Sequence, residues 1–213
     1  MSRFRPSADR ARRECEQWFL REFYLSANRD ASEESRLREL FVEADPSLRS
    51  IDAFVLSSGS PPGWQSALID DFENGGMLTW NAKGDGLKEP LTESERPGQA
   101  FVAGQTGAFL TSFGSEREDE AVGSLVSEPL VIEGDVMTFM VGGGPAVKTS
   151  IELLDGDTVV ASASGCASGM MRRVVWNVER LRGKAVRLRI RDSSTEPLGH
   201  ISLDTIEIWR RSK

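Results

Sequence analysis

Charged side chains between residues 116 and 120 could recognise the hydroxyl groups of a sugar. Arg117, Glu118 and Asp119 follow one another there, and guanidinium and carboxylate groups form paired, charge-assisted hydrogen bonds with diols. Asp192 and His200, the latter the only histidine of the chain, bracket a second polar stretch. The alternative for the first group is a solvated acidic loop, and the alternative for His200 is a structural hydrogen bond.

Trp80 is the candidate for the flat apolar surface on which the C–H face of a sugar could stack, with a core tryptophan as the alternative. Gly142, Gly143 and Gly144 follow the apolar run 136–141. Because glycine weakens a strand, three in succession indicate a sharp bend or the close approach of a ligand or another backbone. We include all three as candidate ligand contacts.

Motifs that carry catalysis are absent from the sequence. It has no Gly-x-Ser-x-Gly elbow, no His-Glu-x-x-His, no Walker loop and no zinc-type cysteine spacing. No helix is predicted after the triple glycine, which excludes a dinucleotide fingerprint. Carboxylates are abundant, but their spacing selects no acid–base pair. The sequence therefore predicts a chain that is not an enzyme.

Composition narrows the partners and the compartment. A net charge of −7 argues against general nucleic-acid binding, and no apolar run approaches the length of about 18 residues that a membrane span needs. No signal peptide is recognised, so we expect a cytoplasmic protein, or a secreted or surface one if the chain is part of a longer protein. Cys15 and Cys166 lack a metal-like spacing and are expected to be free thiols, with one disulfide as the alternative.

The organisation of the chain changes along its length. Residues 1–58 predict three short amphipathic helices, residues 59–67 a Ser/Gly/Pro-rich linker, and residues 68–213 a β-domain. The apolar helical positions must be buried, either on one another and the β-domain or against a protein partner. They are Ala11, Cys15, Trp18, Phe19, Phe23, Leu37, Leu40, Phe41, Leu48, Ile51, Phe54 and Val55.

Short apolar runs separated by turns predict an antiparallel β-sandwich or jelly roll. The predicted strands are Leu125–Ile132, Val136–Val141, Thr149–Leu154, Thr158–Ala163, Val174–Val178 and Val186–Ile190. Asp155-Gly156 predicts a hairpin turn, and Trp176 alternates with valines as a core residue. In the last strand the apolar period slips near Asp204-Thr205, which predicts a β-bulge that either re-aims Asp204 or ends the pairing of an edge strand.

Eight short motifs appear in an order that resembles a known type of module. They are Asp71–Gly75, Trp80, Thr111–Phe113, Gly123–Pro129, Phe139–Gly144, Trp176–Val178, Leu181–Lys184 and Gly199–Asp204. Residues 68–210 thus resemble the galactose-binding-like β-sandwich attached to levanases and other family 32 glycoside hydrolases, and are similar to the fructan-binding family 66 modules.

This resemblance implies a mainly β, antiparallel jelly roll that binds carbohydrate, with fructan as one candidate, and performs no chemistry. It also implies a structural calcium ion near Glu73 and Asp204, with Asp70 or Asp71 as a helper, of which we include Asp71 among the metal candidates. The loop 145–148 and the segment 193–198 depart from the family pattern. We therefore expect a carbohydrate-binding accessory module of a larger secreted or surface protein, or alternatively a structural or protein-interaction domain that has lost sugar binding.

Overall fold

Two facing antiparallel sheets are built from twelve strands in the part of the chain that the computed structural model describes. Described are residues 12–16, 18–19, 35–36, 39–40, 42–43, 49–51, 54, 59–73, 78–99, 101–144 and 148–212. The strands are β1 Trp64–Asp70, β2 Trp80–Gly84, β3 Leu91–Thr92, β4 Phe109–Thr111, β5 Gly123–Ser127, β6 Leu130–Val131, β7 Val136–Gly143, β8 Thr149–Asp155, β9 Thr158–Ala163, β10 Ser168–Asn177, β11 Ala185–Asp192 and β12 Ile201–Arg211.

Sheet A has the order β10-β7-β12-β4-β3, with β1 also paired to β12. Sheet B has the order β2-β5-β11-β8-β9, with β6 also paired to β11. Apolar side chains from both sheets meet in one core, where Phe139 and Trp176 lie edge to face with ring centroids 4.6 Å apart. The predicted mainly β, antiparallel sandwich is confirmed, and Trp176 is a core residue as expected.

The periodicity of β11 places its side chains as the sequence predicts. Val186, Leu188 and Ile190 are 0–1% exposed, whereas Arg187 and Arg191 face solvent. Strands β8 and β9 form the predicted hairpin, and Gly156 in its turn has φ +61°. Alternation in the sequence therefore correctly indicates which face of β11 is buried.

The bulge in β12 is also confirmed. The register against β7 shifts between Asp204 and Glu207, and Thr205 has φ +44°. This extra residue restores the apolar phase, since Ile201, Leu203 and Ile206 are all fully buried. Asp204 is re-aimed as a result, and its carboxylate contacts a loop discussed below.

Helical backbone occurs at the described residues 12–16, 18–19, 35–36, 39–40 and 42–43, and 3-10 geometry at 49–51 and 54. Most of the predicted helical region lies outside the described residues, so its three helices stay a prediction. Ile51 and Phe54 are buried against the outside of sheet A, where the Phe54 ring lies 4.8 Å from Trp64 and 5.4 Å from Trp209. The first strand begins at Trp64, within the predicted linker. The boundaries of the predicted domains stay a prediction.

Cys15 and Cys166 form a disulfide, so the prediction of two free thiols is wrong. The residues are 151 positions apart in sequence, but folding brings their Cα atoms to 5.5 Å, within the range that a disulfide requires. Sequence spacing could not reveal this proximity. Among the described residues, no helix is both long enough and apolar enough to span a membrane.

Candidate functional site

Most of the sequence-predicted ligand residues meet at one end of the sandwich, which we call the loop end. It consists of the connections that follow β4, β7, β9 and β11, namely the described residues 112–122, 144, 148, 164–167 and 193–200. Antiparallel strands bring alternate connections to the same end of a sheet, so segments distant in sequence become neighbours here.

Asp119 joins two of these connections. Its Oδ2 accepts a hydrogen bond from the Leu198 amide at 2.9 Å, and its Oδ1 accepts one from the His200 amide at 3.3 Å. Oδ1 also lies 2.7 Å from Nδ1 of His200, which must carry the proton because a carboxylate can only accept. Asp119 therefore fixes the segment 198–200 to the connection after β4.

His200 is 1% exposed and packs edge to face against Phe113, with ring centroids 5.3 Å apart. Its Nε2 is buried and has no hydrogen-bond partner among the described residues. The Nδ1 contact with Asp119 is a structural hydrogen bond, which is the alternative role predicted for His200 from the sequence. A direct ligand contact by His200 stays a prediction.

Asp192 lies close enough to Asp119 for their charges to interact, and it is 2% exposed. Ser112 Oγ donates to its Oδ2 at 2.6 Å, and the Ser194 amide donates to its Oδ1 at 3.0 Å. The pKa of Asp192 is raised to about 6: burial is the largest cause and the nearby Asp119 carboxylate adds to it, while the two hydrogen bonds partly offset the rise. The carboxyl group therefore gains a proton in the folded state more readily than in the unfolded chain.

This raised pKa predicts a pH-dependent loss of stability. Between about pH 4 and pH 6 the folded state binds more protons at Asp192 than the unfolded state does, so ionisation lowers the free energy of unfolding as the pH rises, by about 2–3 kcal/mol. Asp192→Asn should remove this part of the slope and leave the variant at least as stable at pH 7. Urea unfolding at pH 4, 5, 6 and 7 measures both slopes; parallel curves for the two proteins would contradict the assignment.

Gly142, Gly143 and Gly144 are buried and packed against other backbone segments. Gly143 has φ +94°, and a Cβ added to it would overlap the His200 carbonyl; the Gly144 amide donates to that carbonyl at 2.7 Å. A Cβ on Gly165 would in turn overlap the Gly143 carbonyl. Close backbone approach accounts for these glycines, and their ligand contact stays a prediction.

Arg117 and Glu118 stand at the exposed rim of the loop end. The Arg117 side chain is 53% exposed and lies 3.9 Å from carboxylates of Asp85 and Glu120. Glu118 closes a tight turn through paired backbone hydrogen bonds with Gly114, at 3.0 and 3.1 Å, and has φ +51°. Long contacts between exposed charges are weak, so those of Arg117 contribute little to stability, and ligand contacts by Arg117 and Glu118 stay a prediction.

Trp80 is not part of this cluster. It begins β2 and pairs with Ser127, whereas the loop end lies beside Gly84 at the other end of the strand, about 13 Å away at strand rise. Its indole packs against the core, and Nε1 lies 3.4 Å from Asp70 Oδ2. These contacts are those of a tryptophan packed on the core, which is the alternative to a stacking surface predicted from the sequence.

The sequence reasoning missed an exposed aromatic residue, Phe101. Its side chain is 72% exposed, and Met170 beside it is 48% exposed. The Phe101 carbonyl lies against Gly169, which packs next to Gly142, so the backbone of Phe101 lies near the end of β7 from which the loop end begins. Its place among turn residues, between Gly98 and Gly104, was the signal that could have identified it.

Glu73 and Asp204, two of the metal candidates of the sequence analysis, lie near each other beside the residues that precede β4. Thr106 N donates to Asp204 Oδ2 at 2.7 Å, and Ala108 N donates to Glu73 Oε1 at 2.7 Å. Burial raises the pKa of Asp204, and the Glu73 carboxylate adds to this effect. Asp71 instead accepts the Glu73 amide at 3.1 Å.

Two neighbouring carboxylates, one of them fully buried, fit a cation that takes its remaining ligands from backbone carbonyls. Within the described residues, no group of three His, Cys, Asp or Glu is placed to hold a metal. A calcium ion here would therefore rest on Glu73 and Asp204, without the predicted help of Asp71.

Asp119 and Asp192 of the loop end are not arranged as a hydrolytic pair of carboxyl groups. Glycoside hydrolysis needs one carboxyl group free to protonate the leaving oxygen and a second free to attack or activate water. Asp119 and Asp192 each have both oxygens engaged in hydrogen bonds, and Asp192 is almost fully buried. This pair is built to position loops.

Comparisons with known proteins give partial likenesses. No protein-family model matches the chain. "Putative glycosyl hydrolase ecdE" from Aspergillus rugulosus is 30% identical over 160 residues, which are 73% of this chain and 22% of that protein. The chain thus spans about a fifth of the length of the curated relative that it matches.

Several solved structures are similar at low sequence identity. The K3 adhesin domain of Lys-gingipain from Porphyromonas gingivalis has a TM-score of 0.45 and 17% identity, covering 68% of this chain and 99% of that one. A cyclase from Fischerella sp. TAU has a TM-score of 0.38 and 14% sequence identity, and the match covers 74% of this chain and 88% of the cyclase chain. CsCBM6-3 from Clostridium stercorarium, solved in complex with cellobiose, has a TM-score of 0.37 and 12% sequence identity. The match covers 73% of this chain and 100% of that one. Their roles differ, so these likenesses select no function.

Proposed function

We propose that this chain is a non-catalytic carbohydrate-binding domain whose ligand site is the loop end. The observation that carries the proposal is the arrangement there: half-buried Asp119 and buried His200 hold the loops in place, while the charged rim and the Phe101 side chain are exposed to solvent. A sugar needs both kinds of surface, because it has apolar C–H faces and many hydroxyl groups. The order of the eight sequence motifs supports the same function.

We further propose that the domain serves as an accessory part of a larger secreted or surface protein. The 30% identity to a protein described as a glycosyl hydrolase supports this, since the match spans only part of that protein. The Cys15–Cys166 disulfide favours an oxidising compartment, because structural disulfides are rare where thiols are kept reduced. Fructan is one candidate ligand, from the sequence resemblance.

Affinity electrophoresis tests the binding proposal. Gels cast with levan, inulin, cellulose derivatives, galactans or xylans should retard the chain on at least one polysaccharide, compared with a gel that contains none. Mobility that is unchanged on every polysaccharide, with and without calcium, would sink the proposal.

Phe101→Ala is expected to weaken binding to the retarding polysaccharide by about tenfold, because it removes an aromatic stacking surface. Stability should change little, since the side chain is mostly exposed. Val131→Ala is the matched control: Val131 is 57% exposed, but its strand β6 pairs with Ala185 and Val186, at the end of β11 opposite Asp192. Equal retardation of the two variants would remove Phe101 from the site.

Calcium is proposed as a structural ion at Glu73 and Asp204. After treatment with a chelator, calcium at about ten times its Kd should raise the Tm by about 3–5 °C, and Asp204→Asn should abolish the rise. Asp157→Asn, in the exposed hairpin turn after β8, should retain it. A Tm that does not respond to calcium, measured by scanning calorimetry, would show that hydrogen bonds alone hold this carboxylate pair.

A structural or protein-interaction domain is the second candidate. The observation that favours it is that Asp119, Asp192 and the three glycines are engaged with other parts of the chain. Failure of every polysaccharide in the gel assay would favour this candidate over the first.

A further inference from the structure

The Cys15–Cys166 disulfide lies where the chain passes from sheet B to sheet A. Cys166 belongs to the connection 164–167 between β9, the edge strand of sheet B, and β10, the edge strand of sheet A. The bond therefore attaches the N-terminal segment to a crossing point of the sandwich. Both cysteines are half-buried, so a small thiol can reach the bond.

A buried ion pair lies beside this bond. Arg172 Nη2 is 3.2 Å from Glu14 Oε2, and their side chains are only 7% and 26% exposed. The same guanidinium donates to the Ser164 carbonyl from Nη2 at 3.0 Å and from Nε at 3.3 Å. The connection 164–167 is thus held both covalently and through Arg172.

Backbone contacts lead from this connection to the loop end. Gly165 lies so close to the Gly143 carbonyl that a Cβ would not fit, and Gly143 lies equally close to the His200 carbonyl. No side chain separates these three segments, so none can absorb a displacement of one against the next. His200 in turn is bound to Asp119.

We propose that the Cys15–Cys166 disulfide is a redox-sensitive clasp that sets the backbone geometry of the loop end. In a reducing compartment, a dithiol attacks one sulfur, the other leaves as a thiolate and takes up a proton, and the second thiol of the dithiol then releases the first cysteine. The dithiol is oxidised to its own disulfide as Cys15 and Cys166 become thiols. The segments at 165, 143 and 200 then lose their covalent anchor. This inference rests on the proposed function only for what the loop end binds.

Hydrogen exchange on the whole chain tests the clasp without any ligand. The oxidised chain is compared with the same chain in excess dithiothreitol, using mass spectrometry of peptides. At labelling times at which the centres of β8 and β11 stay protected in both redox forms, reduction should speed exchange about tenfold in the peptides that contain 142–144, 164–170 and 199–201. Unchanged exchange at 142–144 and 199–201 overturns the proposal. Acceleration at 142–144 and 199–201 that appears only at times when β8 and β11 also exchange overturns it too, because the bond then acts only through global stability.

Two further arms separate the causes. Glu14→Gln in the oxidised chain removes the ion pair but keeps the disulfide, and should leave exchange at 142–144 unchanged; an effect equal to reduction would assign the coupling to the ion pair instead. Saccharide binding is measured on both redox forms by affinity electrophoresis. If the oxidised chain binds none, the proposed function fails while the exchange result still decides the clasp.

Discussion

Replacing Cys15 and Cys166 together with serine is expected to lower the free energy of unfolding by about 2–5 kcal/mol. The bond closes a loop that spans 151 positions, and a crosslink over so long a loop removes much conformational freedom from the unfolded chain. Urea unfolding, monitored by tryptophan fluorescence, measures the difference in midpoint and slope.

The wild-type chain under reducing conditions is the control for this variant, since it loses the bond but keeps the sulfur atoms. Both should unfold at a similar, lower urea concentration than the oxidised chain. If the double variant and the oxidised wild type have the same midpoint, the disulfide does not form in solution.

Asp119→Ala is expected to lower the free energy of unfolding by about 2–4 kcal/mol. The change removes the acceptor for three donors at once, the amides of Leu198 and His200 and the Nδ1–H of His200. Buried donors left without an acceptor are more damaging than a lost surface contact. Asp119→Asn keeps one acceptor oxygen, so its free energy of unfolding should lie between those of the wild type and Asp119→Ala.

Glu120→Ala is the matched control, because this neighbouring side chain is 72% exposed and lies 3.9 Å from Arg117. Its effect should stay within about 0.5 kcal/mol. Equal midpoints for the Asp119 and Glu120 variants in urea would mean that Asp119 does not hold the two loops together.

Periodicity predicted the parts of the fold in which each strand has one buried face. Arg187 and Arg191 alternate with buried residues along β11, and the phase slip in β12 revealed the bulge at Asp204. In contrast, β2 reads Trp-Asn-Ala-Lys-Gly and is mostly exposed, so nothing in its pattern marks it as a strand. β4 has three residues, too few for a period to show.

Contacts across the chain could not be predicted in the same way. Asp119 and His200 are 81 positions apart, and only the pairing of strands from both sheets brings their loops together. Both were nevertheless named in the sequence analysis from their residue types, and the resemblance named the carboxylates Glu73 and Asp204. The sequence did not show that Trp80 lies at the end of β2 opposite the loop end. Spacing along a chain does not say at which end of a sandwich a residue lies.

The most direct test of the proposed carbohydrate site is an NMR titration of the oxidised, ¹⁵N-labelled chain with the oligosaccharide of a retarding polysaccharide. Binding at the loop end predicts that amide shifts change at 101, 114–120, 142–144 and 196–200, and stay constant around Trp80 and Val131. Shift changes confined to the Trp80 end, or none with any saccharide, would contradict the account.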